Sequence, residues 1–455
     1  MANIFYRFRS INSLLEYKEL ENQIIYFAPP EDLNDPMEGY IDIVWSGDEI
    51  VWKNFFRHYL LCLERVVSLL VIGGEKYTIT EKNIPVFDNI EHFPTSEYKE
   101  LFEKISSEFI DCLLPLIKKI AIRSTAIRRD ELYFYLDIVH FIALDVIEKN
   151  YIKNKFIPVP KSPKIIRKAG IKYIIDFIDS LEKEIQSNNN FSEKDIFLMQ
   201  KSIRENLKLH QNLEHRLIID NPNRNFVFID FIDKYLLSIE RLIYPKWHTA
   251  CFMKECHNSS VWGHYGDNHK GVCLIFKSDN MSINLSSAEN GRSTYKFEKI
   301  NYQHKFPEID FFKSIGRLTA HRLKKDWYTD ENGNSSYVAK SVLGNVEIWR
   351  KKYWTTYNKI FLTKTKDWEY EKEYRLILSS TLSDYETKEE RLLNYDFKSL
   401  KGLIFGIKTT MKDKIKIIDI LKKKLKEEKR DDFELYQAYF SSEKQNIQYS
   451  KISLW

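Results

Sequence analysis

Between residues 51 and 244 apolar side chains recur at helical spacing, whereas on both sides of that stretch they alternate as in strands. Ile174, Ile178, Leu181 and Ile185 form one helical row. Ile196, Met199, Ile203 and Leu207 form another, with Ser192 placed as an N-cap. Residues 157–170, with three prolines and a closing glycine, and Asn188, Asn189 and Asn190 read as connections between helices. The flanks read NIFYRF (3–8), QIIYFA (23–28), WHTACFM (247–253), GVCLIFK (271–277) and YRLIL (374–378), all strand-like. Shorter strands are expected at 403–405 and 435–440, with a helix marked by Ile418, Leu421 and Leu425 between them. Strands near one end of a chain need partners, and here the partners lie at the other end. The expected class is α+β, with a split α/β domain formed by residues 1–50 and 245–455 and a large all-helical insertion at 51–244.

The 455-residue chain has a formal charge of +5, which neither demands nor excludes an anionic partner. The run at 422–430 alternates in sign and reads as a solvated helix end. The 349–354 segment (WRKKYW) is the best local candidate for nucleic-acid contact, though helical spacing makes an amphipathic surface turn the plainer reading. Five scattered cysteines suit a reducing compartment, the first residues do not resemble a secretory leader, and no apolar run is long enough to span a bilayer. A cytoplasmic, bacterial-type protein without a membrane partner is expected.

Four segments concentrate reactive groups. Tyr6, Arg7, Phe8 and Arg9 alternate on a strand, so both arginines share a face and either clamp an anion or form structural ion pairs. Asn34, Asp35, Pro36, Met37 and Glu38 form turn chemistry; Asp35 and Glu38 are candidate bases or ligands, with a backbone-bonded turn as the plainer reading. Residues 262–271 (WGHYGDNHKG) place His264, Tyr265, Asp267 and His269 in a glycine-rich loop before a strand. Residues 368–375 (WEYEKEYR) are read as a strand with Glu369, Glu371, Glu373 and Arg375 on one face, where crowded carboxylates raise one another's pKa. Cys251, Cys256, His257, His264, His269 and Cys273 do not fit a zinc-finger spacing, and no metal site is assigned.

These segments, in this order, resemble the family catalogued as domain of unknown function 2971, over about residues 3–45 and 245–440. The long helical insertion departs from that pattern and is a candidate partner-binding or regulatory domain. The motif order is also similar to that of ADP-ribosyltransferase-like toxins and antiphage effectors. That resemblance implies NAD as substrate, Glu373 or Glu371 as the catalytic carboxylate, and His264 or Tyr265 on the middle segment. It further implies that Tyr6, Arg7, Arg9, Tyr26, Asn34, Asp35 and Arg375 hold the dinucleotide, and that a protein or nucleic acid is the acceptor. The absence of G-x-G-x-x-G argues against a Rossmann-type site. Two alternatives stand beside it: a metal-dependent nuclease using Asp35, Glu38 and the late glutamates, and a non-enzymatic binding or sensor protein whose carboxylates are fully paired with arginine.

Overall fold

The computed structural model describes residues 3–159, 167–187, 193–214, 221–287 and 291–453. Ser192 and Asn188, Asn189 and Asn190 lie outside the described residues. The chain has the expected α+β character and forms two compact units. The first comprises Met1–Ile41, Pro245–Pro307 and Thr356–Trp455, the second Asp42–Tyr244 and Glu308–Thr355.

The first unit is built on an eight-stranded mixed sheet. Its order is Asn446–Lys451, Glu434–Ser441, Leu400–Phe405, Val272–Ser278, Asn3–Arg9, Trp247–Met253, Glu373–Ser379 and Glu298–Lys299. The first strand of the chain therefore sits in the middle, between strands from the C-terminal half. It pairs antiparallel with Val272–Ser278 along its whole length, from Asn3↔Ser278 to Arg9↔Val272. On its other side it meets Trp247–Met253 at the single pair Tyr6↔Met253. Four residues earlier, Thr249 pairs instead with Ala28. The two central strands thus part beyond Tyr6.

Leu400–Phe405 and Glu434–Ser441 run parallel, and the helix Met411–Glu427 provides the crossover that parallel neighbours require. Thr410 caps that helix by accepting from the Asp413 amide, and Ile417, Leu421 and Leu425 are buried on its inner face. Phe5, Leu274, Phe276, Leu403 and Phe405 pack on one side of the sheet, together with a four-stranded sheet formed by Ile24–Tyr26, Leu392–Tyr395, Ser282–Ser287 and Gly291–Lys296. Phe8, Trp262, Cys273, Ile275 and Ile404 pack on the other side. Cys256 and Cys273 are buried core residues there.

The second unit is mainly helical. It contains Glu49–Gly73, Ser96–Ala121, Arg129–Lys153, Arg167–Ser187 and Glu193–Glu214. It also holds a small sheet of Glu308–Asp310, Asp42–Trp45 and Ile127–Arg128, so residues 308–355, expected with the flanking domain, pack with this unit. Ile174, Ile178 and Leu181 are buried as their spacing predicts. The Glu193–Glu214 helix is rotated from expectation. Met199 and Ile203 are exposed while Phe197 is buried, and the Arg204 guanidinium lies 3.3 Å from the Tyr133 ring centroid. An arginine can cover apolar surface with its stem and an aromatic face with its head, which a hydrophobicity pattern does not register. Within 349–354, Trp349 Nε1 donates to the Lys313 carbonyl and the Tyr353 hydroxyl to that of Ile243, so both rings are engaged inside the unit. Among the described residues, no helix is long and apolar enough to cross a membrane.

Candidate active site

The 368–375 segment is not one strand. Lys366–Glu371 is a 3-10 turn, Lys372 adopts φ 48°, and the strand begins at Glu373. The left-handed residue turns the chain so that Glu371 and Glu373 reach the same interior point, while Glu369 is exposed. That point is the ammonium of Lys364, in the two-residue strand Thr363–Lys364. Lys364 Nζ lies 2.8 Å from Glu371 Oε2, 3.2 Å from Glu373 Oε2 and 3.2 Å from Glu38 Oε1. Arg375 completes the cluster: its Nε donates to Glu373 Oε1 at 2.7 Å and its Nη2 to Glu38 Oε1 at 2.7 Å. Its Nη1 donates to the Phe361 carbonyl at 2.8 Å. All five side chains are buried.

Electrostatics separates the two late glutamates. Burial alone would raise Glu373, but the Arg375 guanidinium and the Lys364 ammonium overcome it and hold the carboxyl below the usual range. For Glu371, burial prevails over Lys364, and the neighbouring Glu373 charge adds to it, so its pKa is raised. Burial works against the charge on Lys364, yet Glu373, Tyr265, Glu38 and Glu371 together raise it above its ordinary value. Glu38 Oε2 is buried without a hydrogen-bond partner among the described residues.

Beside this cluster the parted central strands leave a cavity of about 510 Å³, whose lining includes Arg7, Arg9, Tyr17, Tyr26, Asn34, Thr249, Cys251, Tyr265 and Lys388. Arg7 bridges the gap between the strands. Its Nη2 donates to the Tyr26 carbonyl at 2.9 Å and its Nη1 to that of Cys251 at 3.4 Å. Arg7 is 5% exposed, and among the described residues no carboxylate lies within ion-pair distance of it. Burial, with a smaller contribution from Arg9, pulls its pKa down to about 10, against a weaker opposing pull from the Glu19 charge. Arg9, by contrast, is matched by Glu19, with Nε donating to Oε2 at 2.7 Å. Tyr265 connects the cavity to the cluster, because its hydroxyl donates to Glu371 Oε1 at 2.9 Å.

The sequence candidates therefore divide. Arg7, Arg9, Tyr26, Asn34 and Tyr265 line the cavity. Glu371, Glu373 and Arg375 lie in the cluster behind it. Tyr6 packs on the opposite sheet face from Arg7, with its pKa raised by burial. Asp35 Oδ1 accepts from the Met37 amide at 2.9 Å, the turn-forming role. His264 is not in a loop: it sits with Tyr265 on the helix Ser259–Tyr265 and is exposed, 3.3 Å from the Tyr370 hydroxyl through Nδ1. The helix arises because Asn258 caps it, accepting from the amides of Ser260 and Val261. Lys364 was missed by sequence reasoning, and no local pattern distinguishes it from other lysines.

Residues 261–376 match the model of the family described as Protein of unknown function (DUF2971), which bears out the resemblance for that stretch. Tyr265, Lys364, Glu371, Glu373 and Arg375 all fall inside the match. No curated protein and no solved structure matches the chain.

Proposed function

We propose that the first unit binds an anionic nucleotide in the cavity beside Arg7, that NAD is the substrate, and that its nicotinamide–ribose bond is broken there. The supporting observation is Arg7, a buried guanidinium beside a cavity of about 510 Å³ with no carboxylate at ion-pair distance among the described residues. An unmatched buried charge is costly, and an entering phosphate would offset that cost. A guanidinium has five N–H donors, and two carbonyls use only part of them. Tyr17, Tyr26 and Tyr265 supply aromatic surface suited to nucleotide rings.

In this reading the C–N bond breaks with its electron pair leaving on nicotinamide. Water or a macromolecular hydroxyl then adds to the ribosyl carbon and releases its proton to solvent. Tyr265 has committed its proton to Glu371, so its oxygen is left as an acceptor for a ribose hydroxyl. Glu371 acts through Tyr265 and is a positioning residue. Glu373, clamped by Arg375 and Lys364, holds the cluster together.

A second reading, ligand sensing without turnover, is favoured by that same clamp, since a paired carboxylate is a poor participant in chemistry. A metal-dependent nuclease has less support, because the Lys364 ammonium occupies the point where the carboxylates converge. The test combines calorimetry with NAD and ADP-ribose and chromatographic measurement of NAD loss, for wild type, Tyr265→Phe and Glu371→Gln. Binding with turnover that both variants diminish supports the enzyme. Binding without turnover selects the sensor, and no binding overturns the cavity reading.

A further inference from the structure

At the rim of the cavity two tyrosines hold a cation. Lys388 Nζ lies 4.4 Å from the ring centroid of Tyr17 and 5.8 Å from that of Tyr26. The Arg391 guanidinium approaches the Tyr26 ring as well, at 5.5 Å. Among the described residues, no carboxylate lies within ion-pair distance of Lys388. Its visible partners are aromatic faces. Asp32 and Glu389 line the same cavity and add negative charge near the rings.

A primary ammonium is compact and strongly hydrated, so it is a modest occupant of such a site. A planar heteroaromatic cation spreads its charge, loses less hydration and covers more ring surface. We infer that Tyr17 and Tyr26 form a subsite for a positively charged heteroaromatic ring, which Lys388 fills until that ring displaces it. The rest of the cavity would receive the anionic end of the ligand through Arg7. Such a ligand is positive at one end and negative at the other, as oxidised nicotinamide dinucleotides are and reduced ones are not. The identity of the ligand rests on the nucleotide reading; the tyrosine subsite does not.

The experiment uses probes without phosphate, so that the Arg7 reading does not enter. The full chain is titrated with the N-methylnicotinamidium cation and with neutral nicotinamide, followed by ligand-observed NMR, as wild type, Tyr17→Leu and Lys388→Met. Tyr17 is 58% exposed and Lys388 is exposed, so both variants are expected to fold. The cation should bind about two- to fivefold more tightly than the neutral ring. Tyr17→Leu should remove that preference, and Lys388→Met should strengthen binding of the cation by removing its competitor. Equal or undetectable binding of both probes overturns the inference. So does weaker binding of the cation to Lys388→Met. If the cation is preferred while NAD and ADP-ribose do not bind, the subsite stands and the nucleotide reading fails.

Discussion

Tyr265 donates its phenolic hydrogen to Glu371 across 2.9 Å while its side chain lines the cavity, so a group accessible to ligand is tied to a carboxylate that is not. Removing the hydroxyl leaves a buried carboxylate short of one donor. Tyr265→Phe should therefore lower stability by about 1.5–3 kcal/mol in urea denaturation and also diminish NAD turnover. Retained stability with lost turnover would place the whole effect on ligand rather than on Glu371.

Lys364 matches three carboxylates at once, and Arg375 contacts only Glu38 and Glu373 among them. Lys364→Met should cost about 3–5 kcal/mol, because it leaves Glu371 buried without a cation. Adding Glu371→Gln to that variant should recover part of the loss, a coupling that a double-mutant cycle measures directly.

Acid should weaken the cluster through Glu373. Its folded pKa, about 2, lies below the unfolded glutamate value, so its contribution is present above that unfolded value and is lost as pH falls toward the folded one. Unfolded glutamate titrates near about 4.3, which sets the window at roughly pH 4.3 down to 2. The stability gap between wild type and Glu373→Gln should therefore be largest near neutrality and close as pH drops through that window. Glu371 has the opposite sign. Its raised folded pKa means that its ionisation works against the fold as pH rises above the unfolded glutamate value, so Glu371→Gln should remove that loss from the profile.

Arg7 and Arg9 differ in whether their charge is matched. Arg7→Gln should weaken ADP-ribose binding about 10- to 100-fold, the size expected for losing a charge-assisted contact. Arg9→Gln should weaken it far less, since Glu19 already holds that guanidinium. Equal losses from the two would dissociate ligand binding from the unmatched charge.

Lys372 adopts φ 48° between the two cluster glutamates, and among the described residues its side chain is paired with the exposed Glu255 alone. Lys372→Gly relieves the left-handed strain and sacrifices a surface ion pair of little value. Thermal denaturation should show stabilisation, on the order of 0.5–1 kcal/mol. A loss instead would mean that this lysine does more than hold the turn.

The parts of this fold set by local pattern were legible in the sequence. Strand alternation at both ends of the chain, and helical spacing between them, define an α+β molecule. Arg7, Tyr265, Glu371 and Glu373 stood out by residue type. What escaped depends on long-range pairing. Lys364 joins the cluster only because Thr363–Lys364 pairs with Asn301–Tyr302. Glu308–Asp310 belongs to the second unit only because it pairs with Asp42–Trp45. The separate placement of Glu369 depends on the 3-10 turn Lys366–Glu371, and the convergence of Glu371 and Glu373 on the left-handed Lys372, a conformation that a lysine does not advertise. The strand Asn446–Lys451 was missed because its polar residues outnumber the apolar ones.

The single pair Tyr6↔Met253 has a consequence for solvent exchange. An antiparallel strand directs successive amides to opposite neighbours. Along Arg7–Arg9 one neighbour is the fully registered Val272–Ser278 strand and the other is the gap. Deuterium uptake there should alternate from one residue to the next, slow where the amide meets a strand and fast where it meets the opening. An occupant of the opening would even out that alternation, giving a residue-resolved signal of occupancy that needs no knowledge of the chemistry performed.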